Sequence, residues 1–418
     1  MFIRPGDIAV ELATVQLYLM LILACFVVSL PKLVAQWTSQ PLTERPITVG
    51  MLGILVAAIL SHISHGNLEL AFGCGSEFAK IVLYYVLLVG VVDTTARLRQ
   101  FLISLLIFVT VMAILALLHY HGFIKIPSIK ILERFELDTT TGESSLVLQL
   151  VGTGVFNDPN DFALILTMGS VTGFYLYNDR RFGILRFLFL IPTFTLIYAL
   201  ILTQSRGGLL AFLATVATML GIRFGARKMI ILGIVGVPVL LAVLGGRFSR
   251  MSTDEDTAQE RIEIWRESLI MFRTSPLFGH GMNTIGKELG LVAHNSFVHA
   301  FAETGLLGGT CFIGVYYYSV LILVRLRRRD DNALDPELRR TGSYLAAILL
   351  GVIVSIFSIS RNYGAFVYIP VGLVEVYQRA STEGAPQLRL PLNVKNVRNL
   401  VIISLIFLFG VYIFVRVV

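Results

Sequence analysis

Charge is scarce in this sequence. Of 418 residues only 15% are Asp, Glu, Lys or Arg, while 56% are hydrophobic, and a soluble fold of that length cannot hide so much apolar surface. Cysteine is almost missing: Cys25 and Cys311 fall in apolar runs and Cys74 stands alone in a connection, so no pair is placed for an extracytoplasmic disulfide. No internal repeat and no low-complexity tract is visible, which excludes solenoids and arrays. Metal-ligand spacing is lacking too. His294 and His299 are five residues apart, whereas two ligands on one helix face need a spacing of three or four, so no metal site and no cofactor are expected.

Long hydrophobic runs are what the chain has. They fall near residues 13–34, 47–60, 78–92, 101–119, 161–177, 184–203, 208–221, 229–245, 297–324, 342–360, 364–378 and 400–415. The expectation is an all-α polytopic membrane protein of about 11–12 transmembrane helices, forming a single membrane domain over 1–418. Residues 246–296 are its one long loop. The first run is longer than a signal-peptide core and reads as an anchor.

Arginine and lysine set the orientation. Arg97 and Arg99, then Arg180, Arg181 and Arg186, then Arg223, Arg227 and Lys228, and above all the cluster from Arg325 to Arg329, fall at alternate connections and belong inside. Acidic residues favour the other side, so the net charge of +7 reports topology and not nucleic-acid binding. The 246–296 loop then faces out, and the segment from Arg379 to Asn399, with Gly384, Pro386 and Pro391, reads as an inner linker.

Polar residues collect at the outer face in three places. Asn157-Asp158-Pro159-Asn160 runs into the fifth segment; it suits first a capped helix start with Pro159 in the first turn, with a hydrogen-bonding shelf for sugar as the functional alternative. Ser205-Arg206-Gly207-Gly208 places an obligate cation between two apolar runs, either a snorkelling Arg on a turn or an anion clamp with bare glycine amides beside it. In the long loop, Ile262, Trp265, Leu269 and Phe272 make one helical stripe, suggesting a short amphipathic helix along the interface with Arg261 and Arg266 at its polar margin. The loop returns to the membrane at His294-Asn295-Ser296, where Asn295 or Ser296 can cap the next helix and His294 can be structural or catalytic. Arg361 lies at the same face.

Taken in order, Thr203-Gln204-Ser205-Arg206-Gly207-Gly208, Arg261-Ile262-Glu263-Ile264-Trp265, Pro276-Leu277-Phe278-Gly279-His280-Gly281, His294-Asn295 and Glu303-Thr304-Gly305-Leu306-Leu307-Gly308 resemble the O-antigen ligase and O-antigen polymerase family. The resemblance implies a fold of the glycosyltransferase C type in the bacterial inner membrane, with the long loop in the periplasm. It also implies metal-independent transfer of a glycan from a polyprenyl-diphosphate carrier to a saccharide or lipid-linked acceptor. By motif match, Arg206 and Arg261 correspond to diphosphate-contacting arginines and His294 to the candidate general base. Asn295, Arg266, Asn160, Ser205 and Arg361 are candidate substrate contacts. Two features depart from the family: members commonly have one more N-terminal segment, and His280 stands where a small or apolar residue is usual.

Physical chemistry points the same way. Outside the cytoplasm the bond energy must arrive with a lipid-linked donor, and a diphosphate leaving group needs cations. A histidine of ordinary pKa near 6.5 can take a sugar hydroxyl proton at neutral pH, and in-line attack predicts inversion. The alternative is a membrane transporter or flippase of lipid-linked glycan or small solute, which would carry ionisable residues at mid-membrane. Ligase and polymerase are not distinguished by these residues.

Overall fold

The computed structural model describes residues 17–137, 144–225, 255–328 and 335–417. The expected segment at 229–245 and the start of the long loop lie outside them. In chain order come α1 (Leu17–Ser39), α2 (Pro46–Ile63), α3 (Leu68–Val91) and α4 (Thr95–Tyr120). Pro46 opens α2, where its fixed φ suits the first turn, and Asn67 caps α3 by accepting from the Leu70 amide at 3.1 Å. An antiparallel hairpin follows, β1 (Leu132–Leu137) against β2 (Ser144–Gln149), with Leu132 opposite Gln149. Then come α5 (Pro159–Tyr177), α6 (Leu190–Leu202), α7 (Arg206–Phe224), α8 (Glu255–Thr274) and the single-turn α9 (Ile285–Glu288). The chain closes with α10 (Ser296–Arg327), α11 (Pro336–Ile356), α12 (Ile369–Ser381) and α13 (Val394–Val417).

Among the described residues nine helical stretches are long and apolar enough to cross a membrane: α1 to α4, Arg180–Leu202, α7, α10, α11 and α13. The protein is an all-α polytopic membrane protein. Two of the twelve apolar runs form helices outside that set, α5 because it is less apolar and α12 because it has only 13 residues. The third segment begins at Leu68 and not near residue 78, since Glu69, Glu77 and Lys80 interrupt the hydropathy without breaking the helix. The hairpin escaped the sequence reading because it lies in a polar connection with no long apolar run.

The chain divides into two compact units. The described part of the first comes mainly from Gln100–Ala258 and Ala346–Ser355. Its centre is α5, buried on all sides, with Gly173 so close to Thr193 of α6 that a Cβ would meet the threonine Oγ1 at 2.0 Å. The second unit is Leu21–Arg99, Gln259–Leu345 and Ile356–Val418. Here α2 lies against α10, and a Cβ on Gly53 would sit 2.5 Å from the Cys311 sulfur, the small-residue contact that lets apolar helices approach in a membrane.

One end of the second unit gathers arginine and lysine ion pairs. Lys32 meets Asp93 at 2.6 Å, Arg97 meets the same carboxylate at 2.8 Å, Arg389 meets Glu44 at 3.0 Å, and Arg99 pairs with Glu337. Arg379 donates to the carbonyls of Val89 and Val92 at 2.8 and 2.7 Å, where α3 ends and a cation is favoured by the helix dipole. This is the basic end that orientation by charge puts inside. Helices α2, α3, α10 and α13 run between it and an opposite end, where His62 of α2 bonds the Met282 carbonyl at 3.0 Å and α10 begins.

Candidate functional site

His294 stands immediately before α10 at that opposite end, half-buried, with a left-handed φ of 47°. A non-glycine residue adopts that conformation only when its surroundings impose it. The surroundings are visible on both sides. Before it, the Ala293 carbonyl accepts from the Trp265 indole at 2.6 Å; after it, Asn295 is 1% exposed and spends its Oδ1 on the amides of Phe297 and Val298 at 3.0 and 3.2 Å. Asn295 is therefore the N-cap of α10, the structural one of its two expected roles.

The next residue ties in a third segment. Ser296 Oγ donates to the Ile359 carbonyl at 2.6 Å and accepts from the Arg361 amide at 2.9 Å. That pair of bonds fastens the turn carrying Arg361, an exposed side chain, to the start of α10. Sequence neighbours could not have suggested it, since Ser296 and Arg361 are 65 residues apart.

The long-loop helix α8 brings Arg261 and Arg266. Its buried face is not the expected stripe of Ile262, Trp265, Leu269 and Phe272: the buried positions are Ile264, Ser268 and Met271. Ile264 packs with Ala293, Val298 and Val411, flanked by Trp265 and Leu269, so α8 is docked on α10 and α13. The stripe is rotated because the helix meets protein on two sides, one of them through the Trp265 bond. Phe272 also turns inward, edge-on to Phe301 at 6.1 Å. Arg261 precedes Trp265 by four residues and so shares its side of the helix, one turn towards the N-terminus; both it and Arg266 are exposed.

Two glycine motifs lock the remainder of the loop. Helix α10 breaks at Gly305, φ 64°, and into the break fits the Pro276–Gly281 turn. Leu306 N donates to Pro276 O at 2.8 Å, His280 N to Ala302 O at 3.1 Å, and Gly281 N to Glu303 O at 2.9 Å. A Cβ at Gly279 would lie 2.3 Å from the Glu303 carbonyl carbon, and one at Gly305 would lie 2.4 Å from Leu277 backbone. Both positions have positive φ, so glycine is needed for conformation as well as space. His280, the departure from the family pattern, bonds Thr274 Oγ1 at 2.6 Å at the end of α8 and lies 5.6 Å ring to ring from His65.

Glu303 opens the Glu303–Gly308 motif, whose sequence assigns it no role. It is fully buried, accepts the amides of Asn283 and Ile285 at 2.9 and 3.1 Å, and meets His299 Nε2 at 3.1 Å. The carboxylate thus holds the chain between Gly281 and α9. Its signal was the i, i+4 spacing of His299 and Glu303 on one helix face.

In the first unit the other candidates form a corner. Asp158 caps α5 by accepting from the Asn160 and Asp161 amides at 2.8 and 3.3 Å, with Pro159 in the first turn. Ser205 caps α7 by accepting from the Gly208 amide at 3.0 Å, and its own hydroxyl donates to Asn160 Oδ1 at 2.6 Å. The starts of α5 and α7 are thereby side by side. Arg206, half-buried, is the first residue of α7. The expected bare amide at Gly208 is occupied by the Ser205 cap, and the missing side chain serves packing instead, since a Cβ there would meet Ala163 at 2.2 Å.

Residues 191–313 match the family model described as O-Antigen ligase. Over that stretch the chain is similar to the O-antigen ligase family. Of the expected site residues, Ser205, Arg206, Arg261, Arg266, His294 and Asn295 lie within the matched stretch, whereas Asn160 and Arg361 lie outside it. No curated protein matches the chain. The match supports glycan transfer of the ligase or polymerase type as the general activity, on a lipid-linked glycan in a multi-pass membrane setting.

Proposed function

We propose that this protein is a metal-independent, inverting glycosyltransferase that moves a glycan from a polyprenyl-diphosphate carrier to a saccharide acceptor at the periplasmic face of the inner membrane. His294 is the general base. The observation that carries this reading is the enforced left-handed conformation of His294, pinned by the Trp265 bond before it and the Asn295 cap after it. Backbone strain of this kind costs of order 1–3 kcal/mol and persists where the surroundings over-determine it, often at functional sites. It fixes the origin of the imidazole, which a base must have before it can meet an acceptor hydroxyl.

In the same unit Arg261, one turn from Trp265, and Arg361, fastened to Ser296, supply cations at the end of the unit where α10 begins. Their role is to neutralise the diphosphate as the anomeric carbon–oxygen bond breaks. Arg206 has the same diphosphate role by family resemblance, with Ser205, Asn160 and Arg266 as further substrate contacts. Proton removal at His294, attack of the acceptor oxygen on the anomeric carbon and departure of the carrier diphosphate then complete the transfer. The acceptor decides between ligase and polymerase.

The test is covalent. With purified, membrane-inserted protein, His294→Ala should lower formation of the new glycosidic bond by roughly 10²–10⁴-fold, the span of general-base catalysis, and Arg206→Ala or Arg261→Ala should weaken donor use. Parental transfer by His294→Ala removes the base assignment. Movement of an unaltered lipid-linked glycan, with no carrier diphosphate released, would make the protein a transporter.

A further inference from the structure

The chain from Gly281 to His294 is a strap fastened to α10 at both ends. At its exit Asn295 caps the helix; at its entry the amides of Asn283 and Ile285 donate to Glu303 Oε2 and Oε1 at 2.9 and 3.1 Å. The two fastenings are eight residues apart along α10, about 12 Å at the helical rise. Between them Leu289 packs against two apolar clusters, one holding Ile264, Ala293 and Val298, the other Met271, Ile285 and Ala302. Asn283, Gly290 and His294 all have left-handed backbone, with φ of 65°, 70° and 47°.

A left-handed residue other than glycine relaxes to ordinary backbone unless the chain is held on both sides of it. After His294 the holding group is the Asn295 cap. Before it, a series of contacts leads back to Glu303: the Trp265 indole holds the Ala293 carbonyl, Leu289 seats the middle of the strap, and the carboxylate fixes its entry. Pinning that entry removes the freedom that a segment closed at one end only would keep. A carboxylate is expensive to desolvate, and Glu303 has no exposed surface at all. Its bonds go to the two strap amides and, at 3.1 Å, to His299 Nε2 on its own helix.

We propose that Glu303 is a positioning residue for the transfer reaction: through the 283–293 strap it holds His294 in the one backbone conformation from which the imidazole meets the acceptor hydroxyl. This rests on His294 being the general base. Having no exposed surface, Glu303 touches no substrate and carries no proton in the reaction; it acts only on the place of the imidazole. His299, bonded to the same carboxylate one turn back along α10, keeps it turned towards the strap.

Two measurements on the full chain in detergent micelles test this. By hydrogen exchange and mass spectrometry, residues 283–294 should be protected in the wild type. Glu303→Gln keeps the side-chain volume but sets an NH2 group where one acceptor oxygen stood, so exchange of 283–294 should quicken while α12 is unchanged. Turnover per folded enzyme should fall roughly tenfold to a hundredfold, the effect of a misplaced reacting group. The deciding experiment is a double-mutant cycle with His294→Ala. If Glu303 acts through the imidazole, Glu303→Gln removes nothing more from the residual rate once the imidazole is gone. The same fractional loss in both backgrounds overturns the inference and leaves Glu303 a purely structural group, with His294 still the base; parental transfer by His294→Ala overturns the base assignment itself. Rapid exchange of 283–294 in the wild type also overturns the inference, and it is read without any variant, so the test stands even if Glu303→Gln does not fold.

Discussion

The two units place their candidate residues by opposite means. In the first, Asn160, Ser205 and Arg206 are positioned by caps acting within a few residues, joined by a single long-range bond from Ser205 to Asn160. In the second, the backbone at His294 is positioned from α8 and from the Ile359–Arg361 turn, and the loop leading to it is locked into a break in α10. Local caps make a cation whose place survives small changes elsewhere. A histidine held by distant segments is accurate only while all of them are docked.

That contrast is most severely tested at the helix break. Gly305→Ala combines a left-handed φ with a Cβ 2.4 Å from Leu277 backbone, so we expect a loss of roughly 3 kcal/mol and collapse of transfer, read by thermal unfolding in detergent and by product formation. The counterpart in the first unit, Gly225→Ala at the end of α7, has a comparable glycine-only backbone, φ 85° and ψ 158°, but nothing within 4 Å, and should cost only the conformational part, about 1–2 kcal/mol. Equal costs would dissolve the distinction.

Trp265→Phe keeps an aromatic ring against Phe414 but strips the donor from the Ala293 carbonyl. An acceptor left without its partner costs about 1–3 kcal/mol. The turnover number should fall with donor binding nearly intact, because the change acts on the conformation of His294; a loss confined to donor binding would contradict that. Ser205→Ala should do less, about 1 kcal/mol for a lost N-cap, lowering the unfolding temperature slightly while histidine-dependent turnover persists.

The smallest effect lies at the basic end of the second unit. Burial by itself would raise the Asp93 carboxyl, but the Lys32 hydrogen bond and charge, with Arg97 beside it, hold it below the usual carboxylate range. A depressed folded value means that the stabilisation is present above the unfolded pKa, near 3.9, and fades as pH falls through the lower folded value. Wild type should therefore be slightly more stable than Asp93→Asn at neutral pH, the difference shrinking below about pH 4. A difference that grows on acidification would show that the pair does not act this way.

Much of the scaffold was readable in advance because hydropathy and capping are short-range. The membrane class, eight of the apolar runs now seen as candidate spans in part or whole beyond α1, and the helix start at Asp158-Pro159 needed only neighbouring residues. The face of α8 was misread for the same reason: periodicity finds an apolar stripe, but Ile264, Ser268 and Met271 are buried because α8 meets α10 and α13. Glu303 carried only a weak spacing signal, since its amide partners belong to a loop twenty residues earlier.

Apolar runs, charge asymmetry and the ordered motifs were enough to make this a polytopic membrane protein similar over residues 191–313 to O-antigen ligases, because insertion into a bilayer is decided segment by segment and motifs are local. Folding decided how the motifs are used. Asn295 became a cap, Gly279 and Gly305 became a backbone lock, and Arg361 came to the start of α10. Each of these depends on a hydrogen bond or close contact, and for the lock and Arg361 the partner is far off in sequence, so it exists only once the chain has returned on itself.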